Sequence, residues 1–267
     1  MPIPRLRAVR FEQVLPEGRT HPLVLACRTE DRTAQTRSYL VKAIGCPEVH
    51  STWQLVAETM GNVIAARMGV LTPSAAIVEI GEPVAQVVNK ALKERGFTFA
   101  VRPGPAAGCE FLSGIQPWTV GQPLSPMIRR QASALFAFDL LSQNPDRRKE
   151  KVNCGLTKEG IVAFDFEMCF GHCFLPIVGG SAAEIWEPSK SGLAARHLFY
   201  AEMRANPPHA GAVQSLIGRL TTEWWDEMVR QLPVVWRHDA DIIGQNLKAV
   251  ATHADEFARD VATRCVL

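Results

Sequence analysis

The sequence predicts an α+β protein of two lobes, β-rich at the N-terminus and mainly helical at the C-terminus. Three observations predict it. Strand-like runs fill residues 8–44, helical periodicity dominates from about residue 124, and one charged loop with a hairpin signature interrupts those helices. The lobes are placed at residues 1–112 and 113–267, with a ligand cleft expected between them.

The N-terminal elements follow in order. AVRFEQVL (8–15), PLVLACR (22–28) and RSYLVKAI (37–44) read as a three-stranded meander, with a turn at Glu17-Gly18-Arg19-Thr20 and a polar loop TEDRTAQT after the second strand. A helix then starts at a Ser51 or Thr52 N-cap and stops at Gly69, its apolar face running through Val56, Met60, Val63 and Ile64. PSAAIVEI (73–80) is a further strand. The stretch 81–107 is mixed, and the Pro and Gly cluster RPGPAAGC (102–109) reads as a linker-like crossing.

In the second lobe, ALFAFDLLSQ (134–143) is a buried or amphipathic helix. VNCGL and IVAFD, joined by TKEG, form a hairpin turning on Lys158 and Glu159, which sets Val152 and Asn153 across from Asp165 and Phe164. Helical patterns follow in LIGRLTTEWWDEMVRQL (216–232) and DADIIGQNLKAVATHADEFARDVAT (239–263), where the Trp224-Trp225 pair reads as core or interface.

Composition narrows the function classes. The chain has 267 residues, 47% of them hydrophobic and 21% charged, as folded proteins do. The net charge of +2 comes without a long basic tract, so there is no nucleic-acid signal. No apolar run reaches the eighteen or so residues of a membrane span, and MPIPRLRAVRFEQV lacks an apolar signal core; a cytoplasmic protein is expected. Seven scattered cysteines read as buried free thiols. Among them, Cys169-Phe-Gly-His172-Cys173 is a single CxxxC without a second pair, too little for a zinc site. P-loop, Gly-x-Ser-x-Gly and Gly-x-Gly-x-x-Gly motifs are all absent.

What remains is an ordered set of charged residues. Lys42 lies in the third strand, and Glu58, sixteen residues on, lies on the helix; a strand Lys paired with a helix Glu is how protein kinases hold the α- and β-phosphates. Asp165 ends an apolar strand opposite Asn153, an arrangement suited to Mg²⁺. Asp146, nineteen residues before Asp165 in a loop, is placed to take an acceptor hydroxyl's proton. Any cover over phosphates falls to the backbone around Gly18 and the Thr20 hydroxyl. The RRKEK run (147–151) reads as a solvated loop, or as a positive rim that steers an anion.

These residues resemble the small HipA-like kinases of bacteria, over roughly 15–240. AFDLLSQNPDRR (137–148) is similar to that family's segment into its catalytic loop, and VAFDFE (162–167) to its strand closing on a metal-binding Asp. AETMGNVIAARMGVLTPSAAIVEI resembles its helix and following strand, and CEFLSGIQPW its hinge. The resemblance implies a two-lobed protein-kinase-like fold binding Mg²⁺ and ATP, with transfer of the γ-phosphoryl to a hydroxyl, foremost Ser/Thr of a protein. Lys42 and Glu58 would then hold phosphates, Glu110, Phe111 and Leu112 would contact adenine, Asp146 would be the acid–base, and Asn153 and Asp165 would hold the metal. It also implies an antitoxin-like partner.

The chain departs from the family at Lys151, where the family has a metal-binding Asn, and at Ala57 and Leu71. Lys151 is therefore a candidate modulator, supplying positive charge where a second Mg²⁺ would sit. Two alternatives stand beside active phosphotransfer to protein: an idle nucleotide-binding or interaction module, and a kinase of small molecules or lipid head groups.

Overall fold

The strand-like runs near the N-terminus become β1 (Arg5–Val14), β2 (Leu23–Arg28) and β3 (Arg37–Lys42), paired antiparallel in chain order as the sequence predicts. They belong to a computed structural model that describes residues 2–15, 20–29, 35–174 and 185–267. The helix α1 (Thr52–Arg67) starts after Ser51, where the Gln54 side chain accepts from the His50 amide at 2.8 Å. It ends before Gly69, whose φ of +87° suits glycine.

β4 (Ala75–Ile80) follows, then α2 (Glu82–Glu94) and β5 (Gly104–Glu110). β4 runs parallel to β1, with Leu6 beside Val78, and this pairing closes a barrel in the order β1-β2-β3-β5-β4. Closure leaves no strand edge to aggregate. The cluster RPGPAAGC, expected as a linker, instead supplies most of β5, set between β3 and β4. Its small residues are the reason. A Cβ on Gly108 would lie 2.6 Å from Val78 Cγ2, so glycine is what lets β5 approach β4.

Beyond Glu110 the chain is mainly helical. β6 (Gln116–Pro117) precedes α3 (Pro126–Leu141), and β7 (Cys154–Thr157) with β8 (Gly160–Ala163) makes the expected hairpin. Its register, Cys154 beside Ala163, continues to Asn153, whose carbonyl accepts from the Phe164 amide at 3.2 Å. Then come α4 (Tyr200–Ala205), α5 (Ala210–Ile217), α6 (Thr222–Gln231), α7 (Val234–Thr252) and α8 (Ala254–Ala262). Both long helical patterns of the tail are broken, one before the Thr221 N-cap and the other at His253. Strands thus gather in the N-terminal part and helices in the C-terminal part.

One continuous apolar core joins these parts, including Leu25, Val41, Met60, Phe138, Phe166 and Trp236. α1 is its centrepiece. Thr52 donates to Asp239 of α7 at 2.6 Å, and the Asn62 amide bonds the Pro73 carbonyl and the Thr72 hydroxyl, both at 2.9 Å. A Cβ on Gly61 would lie 2.9 Å from Phe166 Cβ, so glycine lets α1 press against the segment that follows β8. Ala163 donates to the Leu71 carbonyl at 2.9 Å, tying that hairpin to the chain leaving α1. Among the described residues, no helix is long and apolar enough to cross a membrane.

Candidate active site

Lys42 is the last residue of β3 and is buried, because the strand carries it under α1. An ammonium there requires anionic partners. It has three: Nζ donates to Glu58 Oε2 at 2.8 Å, makes a short hydrogen bond to Asp165 Oδ1, and lies 2.9 Å from Glu167 Oε2. Burial disfavours the charged amine, but Asp165, Glu58 and Glu167 together override it and hold Lys42 protonated, well above the usual lysine range.

The carboxylates arrive from two directions. Glu58 faces inward from α1 and also accepts from the Phe166 amide at 2.9 Å, which fixes the segment after β8 against the helix. Asp165 and Asn153 both adopt left-handed backbone, with φ of +65° and +45°. Asp and Asn tolerate that region better than most residues, and the bend ends the hairpin ladder at its open end. Candidate ligand oxygens of Glu58, Asp165 and Glu167 all lie within 4.8 Å of one another. Burial raises both Asp165 and Glu167, and the lysines decide between them. Lys42 and Lys151 hold Asp165 down at about 2, whereas Glu167, crowded by Asp165 and Glu58, is pushed up to about 7.

The loop carrying Asp146 is built on a buried ion network. Arg147 is fully buried and donates through Nε to Asp139 Oδ2 at 2.6 Å; Asn144 donates to Asp139 Oδ1 at 2.9 Å, and His197 Nε2 meets Oδ2 at 2.9 Å. Arg147 Nη1 bonds the Asn153 carbonyl, so one guanidinium joins α3, the loop and the hairpin. Burial would raise Asp139, but Arg147 and His197 hold it low. The RRKEK run is therefore not one solvated loop: Arg148, Lys149 and Glu150 are exposed, Arg147 is core, and Lys151 is pinned.

Lys151 is placed by a tight turn in which Arg148 and Lys151 exchange backbone hydrogen bonds at 3.0 and 3.1 Å. Its Nζ lies 2.6 Å from Asp146 Oδ2 and 3.5 Å from Asp165 Oδ2. Asn153 turns its amide nitrogen to the Asp146 carbonyl at 3.4 Å. The structure thus brings Lys42, Glu58, Asp165, Lys151 and Asp146 into one chain of contacts.

The remaining expected residues lie elsewhere along the barrel. Glu110 pairs with Arg37 at 3.4 Å and stands opposite Tyr39, three residues along β3 from Lys42, or about 10 Å. The Phe111 amide is taken by the Ser38 carbonyl at 3.0 Å, its side chain is exposed, and Leu112 is half-buried. Thr20 is buried, and Gly18 lies outside the described residues. Glu167 is the residue that sequence reasoning missed, although the acid in Asp165-Phe-Glu167 was its signal.

Two other features resolve as structural. Cys169 is buried and His172 Nε2 faces the Asn246 amide at 2.8 Å; neither belongs to a metal-competent cluster among the described residues. A cavity of about 400 Å³ runs between α6 and α7, and none of its lining residues belongs to the carboxylate cluster.

No family model matches the chain, and no curated protein matches it. Among solved structures it is similar to the Helicobacter pylori proinflammatory kinase CtkA, at 9% identity and a TM-score of 0.49 over 92% of this chain and 95% of that chain.

Proposed function

We propose that the chain is a HipA-like, kinase-type phosphotransferase that binds Mg·ATP where the barrel meets the helical part and passes the γ-phosphoryl to a hydroxyl, foremost Ser/Thr of a protein. The lobe boundary near residue 112, a cytoplasmic location and an antitoxin-like partner belong to the same proposal. One observation carries it: a buried Lys42 shared by the helix carboxylate of Glu58 and the hairpin carboxylate of Asp165.

The residues fit a divalent cation, because clustered carboxylates offer hard oxygen ligands and one of them, Glu167, has an oxygen without an aligned hydrogen bond. When bound, Mg²⁺ would supply positive charge to the phosphates, held by Asp165. Lys42, kept charged by its neighbours, binds phosphate oxygens, and Glu58 orients it. The exposed ring of Phe111 offers adenine an apolar contact, with Glu110 and Leu112 flanking it. A bond forms between the acceptor oxygen and the γ-phosphorus as the bond to ADP breaks. The acceptor's proton passes to Asp146, whose Oδ2 is held by Lys151.

A second reading has a specific observation in its favour. Lys151 paired with Asp146 at 2.6 Å occupies the carboxylate that would act as base, as an idle nucleotide-binding module would allow. Thermal unfolding with and without Mg·ATP tests what both readings share. Nucleotide at 100 times its dissociation constant should stabilise the wild type by about 2.7 kcal/mol, and Lys42→Ala should lose most of that gain. No shift at millimolar nucleotide ends both readings.

A further inference from the structure

The carboxylate cluster holds more negative charge than its lysines balance. Lys42 touches Glu58, Asp165 and Glu167, while Lys151 touches Asp146 and Asp165. Formally, four carboxylates face two ammonium groups. The fully buried Arg147 is paired with Asp139 and makes no ion pair with the cluster among the described residues.

Glu167 is where that surplus is least satisfied. The residue is 6% exposed, and among the described residues its Oε2 is met only by the shared Lys42 ammonium at 2.9 Å, without an aligned hydrogen bond. Lys42 spends its aligned hydrogen bonds on Glu58 and Asp165 instead. A buried carboxylate that shares one ammonium with two other acids keeps lone pairs open to a further positive group. It points into the group whose ligand oxygens lie within 4.8 Å of one another, close enough to share one ion.

We propose that Glu167 is a direct ligand of the divalent cation, sharing it with Asp165, so that the metal seat of this chain is made by two acids two residues apart. The proposal rests on the phosphotransferase reading for its biological sense, but not for its geometry. It also accounts for Lys151. With a second carboxylate supplied from position 167, the cation no longer depends on an amide at position 151, which is free to carry the lysine that bridges Asp146 and Asp165.

The test is Mn²⁺ binding, followed by loss of the free-ion electron paramagnetic resonance signal, on the full chain with and without ATP. Glu167→Gln keeps the side chain's shape and removes its charge, and should weaken Mn²⁺ binding at least tenfold in both conditions. Glu167→Asp draws the carboxylate back by one methylene and should also weaken binding, which keeps the proposal testable if the Gln variant fails to fold. Wild-type Mn²⁺ affinity in either folded variant overturns it. If ATP binds while Mn²⁺ ignores Glu167, the inference falls and the nucleotide reading stands. If Mn²⁺ binding depends on Glu167 but ATP never binds, the metal seat stands and the phosphotransferase reading falls.

Discussion

Lys151 Nζ stands 2.6 Å from Asp146 Oδ2, and the same ammonium reaches Asp165 Oδ2 at 3.5 Å. One side chain therefore spans the two carboxylates that the proposal assigns to proton transfer and to metal binding. Replacing it with Asn removes a positive charge from beside Asp165. Lys151→Asn should raise divalent-cation affinity by about tenfold, equivalent to about 1.4 kcal/mol, and raise phosphotransfer with it. Titrating Mg²⁺ against ATP turnover in the two proteins checks this; a Lys151→Asn protein that is inactive, with unchanged metal affinity, makes Lys151 a catalytic group instead.

Lys42 is the sole ammonium in contact with both Glu58 and Glu167 among the described ion pairs. Lys42→Met leaves three carboxylates facing one another in a buried site. Loss of one partner from a buried ion pair costs about 3–5 kcal/mol. The urea midpoint should fall accordingly at pH 8, and recover in part at pH 5, where a carboxyl can take up a proton.

Glu167 gives the molecule a pH signature. Its carboxyl titrates near 4.5 when unfolded and at about 7 in the fold, so the folded state binds the extra proton. A raised acid makes stability fall as pH rises, and here the window runs from about 4.5 to about 7. Asp165 acts in the opposite sense: held at about 2, it contributes stability above the ordinary aspartate range that is lost as pH falls toward 2. Glu167→Gln should flatten the loss between pH 4.5 and 7 in denaturant melts across that range. A slope equal to the wild type's would place the titrating group elsewhere.

Arg147 is predicted to matter for folding more than for chemistry. Arg147→Met strips the buried Asp139 of its guanidinium and breaks the bond to the Asn153 carbonyl. Stability should drop by about 3–5 kcal/mol. An exposed neighbour offers the control: Arg148→Met should change the unfolding free energy from urea melts by less than about 0.5 kcal/mol.

The legible parts of the sequence were those with a clean period. β1 to β3, α1 and the β7–β8 hairpin could be read from alternation, caps and turn residues, and the hairpin register follows from the turn at Lys158 and Glu159. β5 could not, because Pro, Gly and Ala spell a loop by composition, and only contact with Val78 explains why small residues are needed there. Glu167 is visible as an acid beside Asp165, but its direction is not. The left-handed Asp165 breaks strand periodicity just before it, so no spacing rule says which way its side chain points. Arg147 looked solvated inside RRKEK; its signal was Asp139, a lone acid in the apolar run ALFAFDLL, eight residues upstream.

The proposed active site depends most on phosphoryl transfer at Asp146. The direct measurement is release of label from γ-labelled ATP, to protein or to water, by the wild type and by Asp146→Asn under saturating Mg²⁺. Losing a positioned general base lowers turnover by about two to four orders of magnitude. Asp146→Asn should show that loss, with its ATP affinity nearly unchanged. Equal label release by both proteins, or none from a wild type that binds ATP, would contradict it.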